Sequence, residues 1–226
     1  MDKSFINRAL QQFAQLDDRQ LRLVSMYVDL LIKWNARINL TAVRDPAEIV
    51  SRHFGESFFA ARKLLPSSSD TRNAIDFGSG AGFPGLPLAI WASDVQVTLI
   101  ESSGKKAAFL NEVIRHLQLP NASVFSGRAE TFRGLSNLVT MRAVDKFLDA
   151  LPLACALVDR GETDRREEEM GGALARGTGR LALMVGAAQI EEISRFTPSF
   201  AWQEPEPIPA SASRVLLVGT RTASPG

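Results

Sequence analysis

Residues 73–85 read Asn73-Ala74-Ile75-Asp76-Phe77-Gly78-Ser79-Gly80-Ala81-Gly82-Phe83-Pro84-Gly85. The stretch opens with the apolar pattern of a short strand, and four glycines follow between positions 78 and 85. Pro84 is typical of a helix start, where its missing N–H would have no partner anyway. A strand, a glycine turn and a helix start bring backbone N–H groups close to a nucleotide-like ligand, and a Cβ in the turn would block that approach. The stretch therefore predicts an α/β fold with a ligand site at the turn.

The glycine turn fits two classes of ligand. Residues 80–85 form the G-x-G-x-x-G fingerprint of dinucleotide-binding proteins, and Glu101 closes the next predicted strand about 20 residues on, where that fingerprint places a ribose-binding acid. Asp76 extends the pattern to D-x-G-x-G-x-G, which resembles the motif of S-adenosylmethionine-dependent methyltransferases. A carboxylate attracts the ammonium and sulfonium groups of that ligand but repels a pyrophosphate. The stretch favours a methyltransferase, and the alternatives are a nicotinamide-dependent oxidoreductase and a turn that binds no ligand.

The composition is that of one ordinary α/β domain with an added segment. The chain has 226 residues, of which 45% are hydrophobic and 23% charged. Cys155 is the single cysteine and only two histidines could serve it as a base, so we interpret it as a structural thiol in a reducing cytosol. The sequence has no apolar run near the roughly 20 residues that span a bilayer, no signal-peptide core and no metal-ligand spacing. We expect a cytoplasmic protein with no membrane or metal partner.

The first 72 residues form a predicted helical appendage. Apolar side chains recur at helical spacing over residues 4–15, 18–34 and 45–65, and the last of these helices begins with an acid, a proline and a glutamate. Residues 1–72 carry 11 Lys and Arg against 8 Asp and Glu, whereas residues 73–150 carry 7 of each. This mildly basic segment could face an RNA phosphate backbone, or it could be an ordinary solvated helical surface.

Residues 73–226 alternate between predicted strands and helices and form a second predicted domain. The seven predicted strands are 74–77, 95–101, 122–126, 138–143, 180–185, 200–203 and 214–220, and helices fall near 85–91, 103–118, 145–159 and 187–196. Alternation predicts a mostly parallel sheet with helices on both faces. Because only residues 204–212 separate the last two strands, these should pair as an antiparallel hairpin. Such a sheet is typical of the class I, Rossmann-like methyltransferases.

Residues 159–179 depart from this alternation. Mixed charges occupy residues 162–169 and a glycine-rich run follows them. Low apolar content predicts an irregular, solvated insertion, with a lid over the site as the alternative.

Six stretches together resemble one family, the bacterial small-subunit ribosomal RNA guanine-N7 methyltransferases known as RsmG or glucose-inhibited division protein B. They are residues 34–43 (WNARINLTAV), 52–57 (RHFGES), 76–88, 101–110 (ESSGKKAAFL), 127–130 (GRAE) and 142–144 (RAV). They follow the order of the family and span about residues 20–145.

The resemblance implies S-adenosylmethionine as the cofactor. It would bind through Gly78 and Phe83 in the loop, and through Ala129, Glu130 and Arg142 after the third and fourth strands. Glu101 is placed where a carboxylate can accept two ribose hydroxyls. The motif itself adds three predicted cofactor contacts, Asp76, Gly80 and Gly82. All of these residues lie at the carboxyl ends of predicted parallel strands, where open α/β sheets bind ligands.

The resemblance also implies methylation of N7 of a guanosine in 16S ribosomal RNA, with the RNA or the small ribosomal subunit as partner. We expect a monomer as the acting form. Guanine N7 has a lone pair and no proton, so no general base is needed and alignment supplies the catalysis. The base must be unpaired or extruded to enter the site. Arg142 is the predicted catalytic residue, in contact with the cofactor or with guanine O6. A non-catalytic RNA-binding protein that keeps a cofactor pocket is a further alternative.

Two positions depart from the pattern of the family. Its lysine in the motif of the fifth strand is replaced here by Met184 and Val185, and its aspartate after Arg-His is Glu56, one methylene longer. The insertion at residues 159–179 is a further departure, and all of these concern substrate contacts more than cofactor binding.

Overall fold

The computed structural model describes residues 1–67, 69–144, 146–159 and 179–222. Eight strands form one sheet, and they are β1 (Asn73–Phe77), β2 (Gln96–Glu101), β3 (Ala122–Ser126), β4 (Leu138–Arg142), β5 (Arg180–Gly186), β6 (Phe200–Trp202), β7 (Glu206–Pro207) and β8 (Arg214–Arg221). The order is β3-β2-β1-β4-β5-β8-β6, and β7 also pairs with β8. Strands β1 to β5 are parallel, and β8 runs antiparallel to β5. The predicted mostly parallel sheet with an antiparallel end is therefore confirmed.

The sequence predicts seven strands with residues 204–212 as a connection, and this strand count is wrong because β7 lies within that connection. β6 pairs with residues 219–221 of β8, and β7 pairs with residues 215 and 216 of the same strand. The two short strands thus form one interrupted edge. Pro207 fits there because an edge strand tolerates a residue with no N–H. Residues 204–212 contain three prolines, so their sequence does not predict a strand.

The helices surround this sheet. They are α1 (Lys3–Leu10), α2 (Asp18–Asn35), α3 (Pro46–Glu48), α4 (Glu56–Leu64), α5 (Gly85–Trp91), α6 (Gly104–Leu117), α7 (Phe147–Ala156) and α8 (Ile190–Phe196). Asp17 caps α2 by accepting a hydrogen bond from the N–H of Gln20, whose side chain accepts one from Asp17 in return. None of the helices in the described ranges is long and apolar enough to cross a membrane.

The segment between α3 and α4 winds as a π-helix over Ile49–Gly55. The sequence predicted one continuous helix here, because a π-helix has no periodic signal of its own. Gly55 packs against the ring of Phe13, where an added Cβ would lie 2.6 Å from Cε2. Glycine therefore permits the N-terminal segment to close on this helix.

The N-terminal helices and one face of the sheet share a hydrophobic core. Tyr27 and Phe54 are fully buried in it, together with Leu88 of α5 and Phe109 of α6. A second core on the other face packs α7 and α8 against β4 and β5, and Cys155 lies at its border with its pKa raised to about 11 by burial. The boundary after residue 72 stays a prediction, and the predicted insertion at 159–179 lies almost wholly outside the described residues.

Candidate functional site at the carboxyl edge of the sheet

Two adjoining cavities lie where the parallel strands end. The first, the loop cavity, measures about 470 Å³ and lies between the glycine loop, the ends of β2 and β4, and the N-terminal residues Thr41 and His53. The second, the β3 cavity, measures about 370 Å³ and lies beside Ala129 and Glu130. Gly78, Ser102 and Val144 border both. A larger cavity of about 900 Å³ opens near Arg72 and Asp94, at the other edge of the sheet, and none of the predicted site residues lines it.

The glycine loop follows β1 with three residues in the left-handed region, at φ values of 66° for Gly78, 56° for Gly80 and 88° for Gly82. An added Cβ on Gly80 would have only the carbonyl oxygen of Gly78 near it, at 3.8 Å, so this position faces the open loop cavity. Gly82 faces the interior instead, where a Cβ would lie 2.6 Å from Leu86. Gly80 thus leaves space for a ligand to approach the backbone of the loop, a position called the cradle below. Gly82 permits the loop to pack on α2 and α5.

Asp76 lies beneath the loop and is only 1% exposed. Its Oδ2 accepts a hydrogen bond from the N–H of Gly85 at 3.1 Å, and its Oδ1 accepts one from the hydroxyl of Thr140 at 2.9 Å. Burial raises the pKa of this carboxyl to about 6. The carboxylate therefore fixes the start of α5, and it does not line either cavity.

Glu101 at the end of β2 joins the two sides of the loop cavity. Its Oε2 accepts from the N–H of Gly80 at 2.8 Å, and its Oε1 accepts from the N–H of Ser103 at 2.7 Å. Each oxygen keeps a further lone pair. The carboxylate is therefore oriented by the backbone before any ligand binds, with capacity left for ligand hydroxyls.

The predicted contacts divide between the two cavities. Five of them line the loop cavity, and they are Gly78, Gly80, Phe83, Glu101 and Arg142. Ala129 and Glu130 line the β3 cavity, in the short helical turn after β3. Asp76 and Gly82 line neither cavity and support the loop from behind.

Arg142 ends β4 and is 7% exposed, with its guanidinium turned towards the π-helix. Its Nη1 donates to the carbonyl of His53 at 3.3 Å and to the hydroxyl of Ser57 at 3.4 Å. Its Nη2 donates to Nδ1 of His53 at 2.9 Å and lies 3.3 Å from Oε2 of Glu56. Burial lowers the pKa of Arg142 to about 10, so the side chain remains a cation at neutral pH. Both terminal nitrogens are thus engaged by protein acceptors.

Glu56 occupies the position of the aspartate that the family has after Arg-His. Its Oε2 lies between Nη2 of Arg142 at 3.3 Å and Nε of Arg214 at 3.4 Å, without hydrogen-bond geometry to either. Arg214 of β8 pairs with Gly186 at the end of β5, next to Met184 and Val185. Arg214 of β8 therefore places a positive charge beside the end of β5, where the family has a lysine and this chain does not.

From the sequence alone, His53 is either an RNA or interface contact or a helix histidine with a local hydrogen bond, and Thr41 has no assigned role. Nε2 of His53 lies 2.7 Å from Oγ1 of Thr41, and the imidazole stacks on Phe83 with 5.1 Å between ring centres. Phe83 also stacks on Tyr27, whose hydroxyl donates to the carbonyl of Ala81. The N-terminal helices are therefore part of the wall of the loop cavity. The stretches WNARINLT and RHF both belong to the resemblance, but only the folded structure shows that they contact each other.

The loop cavity fits an S-adenosylmethionine-type ligand on two observations. The position of Gly80 is open where a side chain would block the cradle, and Glu101 offers an oriented carboxylate. Asp76 does not add to them, because its carboxyl is buried behind the loop, where it holds the start of α5. Among the residues described, no group of three or more His, Cys, Asp or Glu could hold a metal ion.

The antiparallel β8 beside β5 and the cavity at the ends of β1, β2 and β4 are those of a class I methyltransferase with a Rossmann-like sheet. The solved structure of magnesium protoporphyrin IX methyltransferase from Synechocystis PCC 6803 shares this fold, with a TM-score of 0.59, 16% identity, and coverage of 92% of this chain and 99% of that one. The ribosomal protein L11 methylase of Lactobacillus delbrueckii subsp. bulgaricus matches with a TM-score of 0.57 and 11% identity over 76% of this chain and 79% of that one.

The chain belongs to the family described as rRNA small subunit methyltransferase G, whose family model matches residues 20–164. A relative with that description from Xanthomonas axonopodis pv. citri (strain 306) is 38% identical over 184 residues, which cover 80% of this chain and 76% of the relative. Another, from Lachnoclostridium phytofermentans, is 37% identical over 71% of this chain and 68% of the relative.

Proposed function

We propose that this chain transfers a methyl group from S-adenosylmethionine to N7 of a guanosine in the 16S RNA of the small ribosomal subunit. Family membership supports the RNA substrate and the cofactor. The observation that carries the N7 chemistry is the state of His53 in the loop cavity. Its two ring nitrogens are engaged by Arg142 and Thr41, so it is not available to take a proton from a substrate.

Guanine N7 is a suitable nucleophile for such a site. Bound S-adenosylmethionine supplies an electrophilic methyl, whose bond to sulfur breaks as the bond to N7 forms, leaving S-adenosylhomocysteine and a positively charged N7-methylguanine. N7 carries a lone pair and no proton, so the chain has no proton to remove. The residues of the cavity need only bind, orient and exclude water.

In this proposal the two cavities hold different parts of the cofactor. Gly78 and Gly80 allow a close approach of the ligand to the loop, and Glu101 accepts its ribose hydroxyls. Ala129 and Glu130 border the place for the adenine. Asp76 and Gly82 act indirectly by holding the loop. Arg142 acts through His53, because its terminal nitrogens are already engaged.

The remaining partner predictions belong to the same proposal. The target base enters the loop cavity unpaired, from the side of Thr41 and His53. The basic N-terminal segment contacts RNA phosphates there. The chain acts as a monomer in the cytoplasm.

The test is methyl transfer to purified small subunits that lack the modification, followed by mapping of the modified base. We expect one methyl group at N7 of one guanosine in 16S RNA. Binding of S-adenosylmethionine without any transfer would favour the non-catalytic RNA-binding alternative. Calorimetry with S-adenosylmethionine and with NAD separates the methyltransferase from the oxidoreductase.

A further inference from the structure

Three side chains form a hydrogen-bonded chain whose direction is fixed. The guanidinium of Arg142 can only donate, so Nδ1 of His53, 2.9 Å from Nη2, must accept. A neutral imidazole has one N–H, and in His53 it must then be on Nε2. That N–H donates to Oγ1 of Thr41 across 2.7 Å. Each hydrogen bond in this chain is therefore donated in the same direction, from the buried Arg142 towards Thr41 at the loop cavity.

The hydroxyl of Thr41 has no acceptor capacity left for a ligand. Its oxygen accepts from Nε2 of His53 and also from the backbone N–H of Val43, at 3.1 Å. A hydroxyl has two lone pairs and one hydrogen, so only the hydrogen remains. No acceptor for that hydrogen occurs among residues 1–67, 69–144, 146–159 and 179–222, and Thr41 lines the loop cavity. Thr41 is thus a donor only, although threonine is ordinarily both donor and acceptor.

We propose that Thr41 donates a hydrogen bond to O6 of the target guanine and thereby selects guanine over adenine. The inference rests on the proposed N7 methylation, because N7 and position 6 lie side by side on the same edge of a purine. On that edge guanine presents two acceptors, N7 and O6, whereas adenine presents an acceptor at N7 and an amino donor at position 6. A group that can only donate pairs with guanine O6 and opposes the adenine amino group.

The position of Thr41 is fixed well enough for such selection. Asn35 clamps its backbone: Oδ1 accepts the N–H groups of Leu40 and Thr41 at 2.9 and 3.0 Å, and Nδ2 donates to the carbonyl of Thr41 at 3.0 Å. Phe83 supports the imidazole of His53 by stacking. The cation at the head of the chain polarises each following hydrogen bond, which strengthens the last donor.

Arg142 is a less suitable reader of the base. Its Nη1 and Nη2 both donate to protein acceptors, and the side chain is buried against the π-helix. We assign it the role of a positioning residue that acts through His53. Lys106 is another donor that lines the loop cavity, and it supplies a matched control.

The experiment compares Thr41→Val, which has the same shape without the hydroxyl, with Thr41→Ser, which keeps the hydroxyl. Substrates are small subunits with guanosine at the mapped target and subunits with adenosine there. Methyl transfer by the unaltered chain to the guanosine particle tests the proposed function separately. If that transfer occurs, Thr41→Val should lower kcat/KM on guanosine roughly tenfold or more and reduce the guanosine-over-adenosine preference by a similar factor.

Two controls make the result specific. Thr41→Ser should remain within a few-fold of the unaltered chain, and Lys106→Met should leave the guanosine-over-adenosine preference unchanged. The affinity of Thr41→Val for S-adenosylmethionine, measured by calorimetry, should also be unchanged. An unaltered preference in Thr41→Val overturns the inference while the proposed function stands. A loss confined to cofactor affinity also overturns it, since the hydroxyl would then serve the cofactor.

Discussion

Nη2 of Arg142 lies 2.9 Å from Nδ1 of His53, so a buried cation donates directly to an imidazole. Burial and, after it, the positive charges of Arg142, Arg52 and Arg214 together lower the pKa of His53 from 6.5 to about 3. The ring is therefore neutral over the whole physiological range. A histidine at the mouth of a substrate cavity is here a fixed part of the structure and not a proton carrier.

This neutral state makes folding stability depend on pH. In the unfolded chain His53 binds a proton below about 6.5, but in the folded chain it does so only near 3. The contribution of His53 to the free energy of unfolding is therefore fully present above pH 6.5. It is lost between pH 6.5 and about 3, at about 1.4 kcal/mol per pH unit. Denaturant unfolding between pH 4 and 8 measures this slope. His53→Gln should have a shallower slope below pH 6.5, and an identical slope would contradict the prediction.

Asp76 should act in the opposite direction. Its pKa is raised from 3.8 to about 6, so the folded chain binds a proton that the unfolded chain has already released. The stabilisation is fully present below pH 3.8 and is lost as the pH rises through about 6. Asp76→Asn removes this titration. The free energy of unfolding of the variant relative to the parent should therefore increase between pH 4 and 7, and a constant difference would show that Asp76 does not titrate there.

The parts of the fold that follow from local periodicity could be predicted, and those that depend on contacts across the chain could not. Hydrophobic runs placed β1 to β5 within a residue or so, and the glycine loop located the site. Nothing in the sequence indicates that Asp76 turns away from the cavity, because an acid at a strand end reads the same in either orientation. The contact of Thr41 with His53 joins residues 12 apart across a loop and a π-helix, and no spacing rule covers it.

Gly80→Val should abolish cofactor binding. The position faces the open loop cavity, and a branched side chain there would occupy the path of the ligand. Its φ of 56° also adds strain for any L side chain, on the order of 1 kcal/mol. Gly80→Ala carries the same strain with much less bulk and should retain more affinity. Calorimetry with S-adenosylmethionine measures both variants, and parental affinity in Gly80→Val would place the cradle elsewhere.

Glu101→Ala should weaken S-adenosylmethionine binding by roughly 1–3 kcal/mol, the usual loss for a hydrogen bond to a charged group. Part of that loss would come from the loop, because the carboxylate also holds the N–H groups of Gly80 and Ser103. A double-mutant cycle with a 2′-deoxy cofactor separates the two. If Glu101 accepts the ribose hydroxyl, the deoxy change should cost the parent affinity and cost the variant almost none. Additive losses would mean that the carboxylate serves only the loop.

The basic N-terminal residues should differ in their effects on RNA. Arg37 is exposed, and Arg44 donates to the carbonyl of Asn35 beside the segment that carries Thr41. Lys63 instead pairs with Glu206 and borders a cavity near Arg180, at the amino end of β5. Arg37→Glu and Arg44→Glu should weaken small-subunit binding and flatten its salt dependence by about one contact each. Lys63→Glu is the matched control, and equal effects in all three would indicate a general charge effect.

The π-helix at Ile49–Gly55 makes the site sensitive to chain length as well as to residue identity. His53 within it and Glu56 just after it both reach Arg142. One residue of α-helix corresponds to a rotation of about 100°, so a single deletion within 49–55 would relax the π-turn and swing one of these side chains away from the guanidinium. Such a chain would keep every named side chain of the site and still be unable to assemble it. We therefore expect the number of residues between the two motifs to matter for activity as much as the residues themselves.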